Sequence, residues 1–540
     1  MANANALSEI RETRETRETR KEMCPRTPQN LLFPIPRSPF PVPRSPFPIP
    51  RSPFPVPHSP FPIPHSPFKM STSQNIKGKV LRGGIALTLR RILVTPLSLA
   101  NVLVVARILG PERYGIITIA LGIIYFLGRT CRMGLHIYLI RQPDSSKKTS
   151  EEILAFYNTV GIAICVLLWF AAPALGWWTG KSATTEVFRW LLPAVWLDSV
   201  SRVFISQLER ELNFTRVGLI EALGMGVNYL SAIALVLMGW GYWGPIAGTV
   251  LGFAVQAGLG AFSYPLAWRW RWHWSVLRPA LAYGLTYSGS DWILELRLLR
   301  IPILVSRLVS VEAAGLINIA FRMAHQLSML RLVVRRMSIS VMAKLLDAPD
   351  RIRRAIGQGM AYQALTIGPV CAAFSCCAAW LIPLMFSSEW LVSAKIFPFI
   401  AFGILVSSIF DLHSSTLYAA GHNREVAKVN FAYVGILWLV SVALLPSLGV
   451  WGYGVAEVVA LVGYIVVHRS LSKLYGSPNY SKAVWLIAAT IFPLFGGVFL
   501  SPVWAIVVFI ASYGLVFLLN SKLRKLPMEL LSARKSPKSA

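Results

Sequence analysis

From about residue 83 onward, the chain alternates long apolar stretches with short polar segments. A helix needs about 20 mostly apolar residues to cross the hydrocarbon core of a bilayer. By this measure the pattern predicts about fourteen spans. They cover 85–108, 115–139, 153–177, 187–206, 217–238, 244–266, 281–303, 314–335, 358–385, 395–419, 427–447, 450–468, 483–500 and 503–521. The sequence therefore predicts an all-α polytopic membrane protein.

Residues 1–79 form a low-complexity, proline-rich segment before the first predicted span. RET occurs three times in residues 11–19, and residues 33–67 repeat a seven-residue pattern such as FPIPRSP. Proline at nearly every second position prevents helix and sheet hydrogen bonding, so this segment is predicted to be extended or disordered. A ligand for SH3-type domains or a spacer is one interpretation. A short tandem DNA repeat that is read through would give the same period, which favours translation from Met70.

The composition excludes a soluble enzyme. Apolar residues make up 54% of the 540-residue chain and charged residues only 14%, with a net charge of +29, whereas soluble domains carry roughly 25% charged residues. In a soluble protein such a charge would suggest nucleic acid as the partner. The six cysteines lack the spacing of a metal site or a disulfide scaffold. We therefore expect neither a metal nor a cofactor.

The basic residues are concentrated in alternate loops. RQPDSSKK, ERELNFTR and WRWRWHWSVLR lie on one side of the predicted array, and GPERY, WTGKSATTE and FSSEW lie on the other. Lysine and arginine are retained on the cytoplasmic side during insertion. Both termini are therefore predicted to be cytoplasmic, including the basic tail 522–540. This distribution accounts for the charge without nucleic acid.

The chain also contains an internal repeat. ARILGPERYGIITIA at 106–120 is similar to SRLVSVEAAGLINIA at 306–320, and GWGYWGPIAG at 239–248 is similar to SLGVWGYGVA at 447–456. Six predicted spans separate the corresponding helices, so the two halves share one orientation, as in transporters with parallel repeats. We predict two six-helix lobes at 80–280 and 281–471, followed by a helix pair at 472–521. Chance similarity between apolar segments is the alternative.

Several arginines lie inside predicted spans. Ionisable groups at membrane depth are costly, so they face a wet cavity or one another. A cavity lined by guanidinium groups suits a diphosphate, because the planar fork binds phosphate oxygens in pairs. The predicted substrate-binding residues are Arg90, Arg91, Arg129, Arg297, Arg300 and Arg322. For Arg90, Arg91 and Arg129, near span ends, snorkelling to the interface is the alternative.

Residues of about 75–470 resemble polysaccharide-type flippases, the O-antigen or exopolysaccharide translocases of the multidrug/oligosaccharidyl-lipid/polysaccharide exporter superfamily. The motifs that carry this resemblance are the turn Ala106–Gly115, the pairs Gly134–Leu135 and Ile140–Arg141, LERELNFTRVGLIEAL at 208–223, VEAAGLINIAFRM at 311–323 and SSEW at 387–390.

This resemblance implies that a polyprenyl-diphosphate-linked oligosaccharide moves across the inner membrane by alternating access, without ATP. The sequence contains no G-x-x-x-x-G-K-[ST] loop, which agrees with that expectation. The resemblance also implies coupling to an ion gradient, and a polysaccharide polymerase is a candidate partner. The carboxylates considered for proton coupling are Asp291, Glu295, Asp411 and Glu457.

Three other functions remain open at this point. A drug/cation antiporter of the same superfamily would require an acidic cavity, which the arginines argue against. A membrane polysaccharide polymerase or ligase would require a long outward loop, whereas the predicted outward loops have about ten residues or fewer. A peptidoglycan-precursor flippase would recognise the same lipid diphosphate.

Overall fold

The structure is a computed structural model that describes residues 73–141, 147–329, 331, 334, 338, 341–521, 523, 524 and 526. These residues contain helices and connecting turns but no strand. The proline-rich repeats, Met70 and most of the tail 522–540 lie outside the described residues. The first helix begins at Ser73, so its first two turns fall within the segment 1–79 that was predicted to be extended or disordered.

The described helices follow one another with short connections. In chain order they are α1 Ser73–Cys131, α2 Leu135–Arg141, α3 Lys147–Thr179, α4 Ser182–Arg210, α5 Phe214–Leu237, α6 Trp243–Ser263, α7 Trp274–Arg300, α8 Ser306–Leu308, α9 Val311–Leu327, α10 Pro349–Met385, α11 Leu391–Ala419, α12 Asn423–Leu448, α13 Val450–Val459, α14 Tyr464–Tyr475, α15 Ser481–Phe499 and α16 Pro502–Leu519. A π-helical turn, Ile301–Val305, continues α7.

Ten helical stretches among the described residues are long and apolar enough to cross a membrane. One of them, Thr88–Cys131, contains two predicted spans, because the helical backbone breaks at Gly110 (φ 71°, ψ 172°) and resumes at Pro111. The predicted spans on α4, α7 and α9 are not among the ten. Helices α4 and α7 carry several charged residues, and α9 has only 17 residues. An all-α, multi-pass membrane protein is thus confirmed, and the count of fourteen stays a prediction.

The predicted span 115–139 is interrupted near its end. Met133 (φ 45°) and Gly134 (φ 69°) adopt left-handed conformations between α1 and α2. A Cβ atom on Gly134 would lie 2.4 Å from the carbonyl oxygen of Gly284 in α7. Glycine is therefore required here both for the backbone conformation and for the close approach of α7.

The two repeated segments pack against each other through matching positions. A Cβ atom on Gly115 would lie 2.0 Å from the carbonyl oxygen of Val311, and one on Gly315 would lie 2.5 Å from that of Pro111. These positions differ by the repeat offset, so the contact is reciprocal. Backbones at such distances leave no room for a side chain.

The paired arginines of the repeat also make reciprocal contacts. Arg107 donates a hydrogen bond to the carbonyl oxygen of Leu384 (2.8 Å) in the last turn of α10. Arg307 donates to the carbonyl oxygen of Trp178 (3.4 Å) in the last turn of α3. A cation is favourable at a helix C-terminus, where carbonyl groups lack intrahelical partners. Each half therefore caps a helix of the other half.

We expect Gly115→Val to lower the free energy of unfolding by about 1–3 kcal/mol, the usual cost of overpacking. Any activity of the chain that depends on the contact between Gly115 and Val311 should fall as well. The new side chain would collide with the backbone of Val311, which cannot move aside as a side chain can. Gly226→Val is the matched control, because no atom lies within 4 Å of a Cβ atom built on that helical glycine. Thermal unfolding of both variants in one detergent measures the difference. Equal melting temperatures would contradict the close packing.

Candidate functional site

A cavity of about 220 Å³ lies between the first and second halves of the chain. Arg90 and Arg91 of α1 and Tyr229 of α5 line it from the first half, and Gln326 of α9 lines it from the second. Two of the predicted binding arginines therefore border a space between the halves.

Arg322 lies about one helical turn before Gln326 on α9. Its side chain is exposed, and its Nε atom donates a hydrogen bond to Oδ1 of Asn318 (2.9 Å). Three tyrosines of the first half, Tyr114, Tyr125 and Tyr229, lie near enough to the guanidinium group to influence its charge. Arg322 thus faces the first half, and Tyr229 is common to its surroundings and to the wall near Arg90. We call Arg90, Arg91 and Arg322 the central arginines.

An ion-pair network supports this wall from within the first half. Arg202 contacts both Glu221 (3.3 Å) and Asp198 (3.6 Å), and the latter lies four residues earlier on the same helix. Asp198 is also 3.3 Å from Arg132, and Glu221 also pairs with Arg90. Sequence reasoning overlooked Glu221, although a carboxylate within the predicted span 217–238 was a sufficient signal. The network fixes the position of Arg90 at the edge of the cavity.

The second half contains a cavity of about 400 Å³. Its wall combines charged, polar and aromatic groups. They include Arg297, Phe321, His325, Arg331, Asp411, Asn430, Tyr433 and Tyr464. Arg331 holds Asp411 with two hydrogen bonds, from Nε (2.5 Å) and from Nη2 (3.1 Å). Asp411 is therefore neutralised by its neighbour.

A buried cluster lies behind this cavity. Arg300 and Glu457, 0% and 1% exposed, form an ion pair of 2.6 Å, and Arg300 also donates to Oγ of Ser441 (2.9 Å). The other carboxylate oxygen of Glu457 accepts a hydrogen bond from the Tyr433 hydroxyl (3.1 Å) and lies 3.6 Å from Arg297. Arg297 lines the cavity, whereas Arg300 is held beneath it and does not. Two arginines share one carboxylate, so the cluster presents a positive charge to the cavity through Arg297.

The remaining predicted residues lie where α1 approaches α7. Arg129 pairs with Glu295, and it lines a cavity of about 170 Å³ together with His136 and Trp292. The side chain of Asp291 lies outside the described part of the chain. Of the carboxylates considered for ion coupling, Glu295, Asp411 and Glu457 each contact an arginine. Within the described residues no group of three or more potential metal ligands occurs.

Residues 104–395, just over half of the chain, match the family model described as "Polysaccharide biosynthesis protein". The chain belongs to this family. This match confirms the resemblance stated from the sequence motifs.

Two proteins, one of lipopolysaccharide and one of succinoglycan biosynthesis, are similar to this chain in sequence. The chain is 19% identical over 324 residues to the lipopolysaccharide biosynthesis protein WzxC of Escherichia coli (strain K12), which covers 58% of this chain and 65% of the relative. It is 24% identical over 151 residues to the succinoglycan biosynthesis transport protein ExoT of Rhizobium meliloti (strain 1021), covering 28% and 31%. The chain thus spans less than two thirds of the length of either relative.

Solved structures show the same fold. The lipid II flippase MurJ in an inward closed conformation superposes with a TM-score of 0.65 at 12% identity, over 82% of this chain and 99% of that chain. An inward-facing multidrug resistance transporter of the MATE family superposes with a TM-score of 0.59 at 16% identity, over 73% and 98%. This polysaccharide biosynthesis protein therefore has the fold of polytopic membrane transporters.

Proposed function

We propose that this chain moves a polyprenyl-diphosphate-linked oligosaccharide from the inner to the outer leaflet of the inner membrane by alternating access. The observation that carries this proposal is the position of the central arginines. Arg90 and Arg91 line the cavity between the two halves, and Arg322 lies about one helical turn from Gln326, which lines it from the other side. Guanidinium groups at membrane depth need an anion or water, and their planar fork matches phosphate oxygens. Membership in the polysaccharide biosynthesis family supports a glycan on the same lipid.

The proposed architecture has fourteen spans, with lobes at 80–280 and 281–471, a helix pair at 472–521 and both termini in the cytoplasm. The reciprocal contacts of Gly115 and Gly315 support a parallel repeat. In the proposed orientation these contacts lie near the outer surface. They therefore constitute an outer gate, which has to separate before the lipid head is released.

Glu295 is the best candidate for ion coupling among the carboxylates considered. Its partner Arg129 belongs to the first lobe, so this ion pair joins the lobes. Asp411 and Glu457 pair with arginines of their own lobe. Protonation of Glu295 would remove its attraction to Arg129, and the lobes would then be freer to move apart.

Purified full-length chain in proteoliposomes tests the proposal. We expect a polyprenyl-diphosphate oligosaccharide to become accessible to an impermeant lectin about tenfold faster or more than in protein-free vesicles, because a charged head crosses a bilayer poorly unaided. The same glycan on a neutral polyprenol is the control and should gain much less. Transport of an organic cation without lipid movement would contradict the proposal and favour a drug antiporter. Equal rates of movement of the charged and neutral lipids would contradict the proposed role of the arginines in recognising the diphosphate.

A further inference from the structure

Another basic cavity lies where α10 and α15 begin, and none of the central arginines lines it. Its volume is about 560 Å³. The cavity, here called the interfacial pocket, is lined by Asp350, Arg353, Arg354, Gly357, Gln358, Ser477, Asn479 and Lys482. None of these residues takes part in the proposed transport site.

The interfacial pocket carries more positive than negative charge. Arg353 is paired with Asp350 and also donates to the carbonyl oxygen of Tyr475 (3.5 Å). Arg354 donates to the backbone oxygen of Asp350 (3.3 Å), and neither it nor Lys482 forms an ion pair with a carboxylate in the described part of the chain. Three cations and one carboxylate leave an excess of two positive charges. An anion would therefore be bound favourably.

Backbone groups add to this preference. Helix α15, of 19 residues, begins at Ser481, beside Lys482, and a helix N-terminus carries a partial positive charge. The side chain of Asn479 accepts a hydrogen bond from the Ser481 amide (2.8 Å), which fixes the loop against the helix start. The amide groups of Asn479 and Gln358 supply neutral donors around the basic groups, whereas the Ser477 hydroxyl donates to the carbonyl oxygen of Pro478 (3.4 Å). Basic groups with neutral donors around them suit phosphate oxygens.

The positions of two candidate spans indicate that the pocket is at the membrane surface. Pro349–Met385 and Ser481–Phe499 are both candidate spans, and the pocket lies at the polar end of each. Val484 and Trp485, two and three residues after Lys482, are exposed apolar side chains in the first turns of α15. A ligand with a phosphate head could therefore place its acyl chains along α15. This end of both helices is on the side that we propose to be cytoplasmic.

We propose that the interfacial pocket binds the phosphodiester headgroup of an anionic phospholipid from the cytoplasmic leaflet. Basic pockets between membrane helices on that side suit such headgroups. Arg354 and Lys482 contact the phosphate, and the neutral side chains bind the remaining headgroup oxygens. The lipid links α10 to α15, so it stabilises the attachment of the C-terminal helix pair.

The test uses the full-length chain in nanodiscs and compares phosphatidylglycerol with phosphatidylcholine by native mass spectrometry and thermal unfolding. We expect phosphatidylglycerol to bind preferentially and to raise the melting temperature. Arg354→Gln combined with Lys482→Gln should weaken this binding about tenfold or more. The matched control is Arg469→Gln combined with Lys473→Gln, which removes the same charge from exposed positions of α14 on the same side.

Each other outcome overturns part of the proposal. Equal weakening in the pocket and control variants would mean that general surface charge, not the pocket, attracts the lipid. Equal binding of the two lipids by the unmodified chain would remove the requirement for an anion. If inorganic phosphate alone produced the full stabilisation and phosphatidylglycerol added none, the ligand would be a free phosphate and the lipid source would be wrong.

Discussion

Arg322→Ala is expected to abolish polysaccharide at the cell surface while the chain remains folded and inserted. Arg322 is exposed between the two halves, hydrogen-bonds to Asn318, and forms no ion pair with a carboxylate among the described residues. Its removal therefore costs the fold little. A hydrogen bond to a charged group contributes about 1.5–3 kcal/mol, so losing it from a bound diphosphate should slow transfer by one to two orders of magnitude. Quantitative staining of surface glycan, beside an immunoblot of the membrane fraction, measures both effects.

Two further variants make this result specific. Arg322→Lys keeps the charge but loses the planar fork, so transfer should fall less than with alanine. Arg424→Ala removes an exposed arginine outside the cavities and should leave surface glycan unchanged. Arg297→Ala should also abolish surface glycan, since that side chain carries the excess charge of the second cavity. Normal glycan in both the Arg297 and Arg322 alanine variants would contradict a cationic site.

The helical, membrane-spanning character could be predicted because it follows from the length of the apolar stretches alone. The break at Gly110 and Pro111 was also predictable, since glycine and proline end helices locally. The interruption at Met133 and Gly134 was not. It depends on the close approach of Gly284, which lies 150 residues further along the chain and leaves no local signal in the apolar pattern.

For the candidate site, the sequence could predict which charged residues lie within membrane spans, but not which of them line a cavity. Arg297 and Arg300 are less than one helical turn apart, yet one lines a cavity and the other is buried. Both contact Glu457, but Arg300 pairs with it more closely (2.6 Å against 3.6 Å) and also donates to Ser441, and these partners are too distant along the chain for the pairing to be predicted. Glu221 shows the opposite case, a carboxylate visible in the sequence whose partners Arg90 and Arg202 only the fold reveals.

The buried pair in the second half should make Glu457→Ala strongly destabilising. Removing this carboxylate leaves Arg300 buried without an anion, and breaking a buried ion pair costs about 3–5 kcal/mol. We expect a large fall in melting temperature and little protein in the membrane fraction. Thermal unfolding of the purified chain, in the detergent used for the unmodified protein, measures the loss.

The double variant Arg300→Met with Glu457→Leu distinguishes pairing from packing. Both charges leave together, and a buried ion pair replaced by apolar groups of similar volume is often close to neutral in stability. The double variant should therefore be more stable than Glu457→Ala. A double-mutant cycle that includes the single variants Arg300→Met and Glu457→Leu measures the coupling energy between the two positions. Arg297 loses its carboxylate neighbour in both variants that replace Glu457, so the difference in stability between these two does not depend on that loss. Strictly additive losses would show that Arg300 and Glu457 do not depend on each other. Glu457 would then be available to neutralise Arg297, and the excess positive charge assigned to the cavity would be wrong.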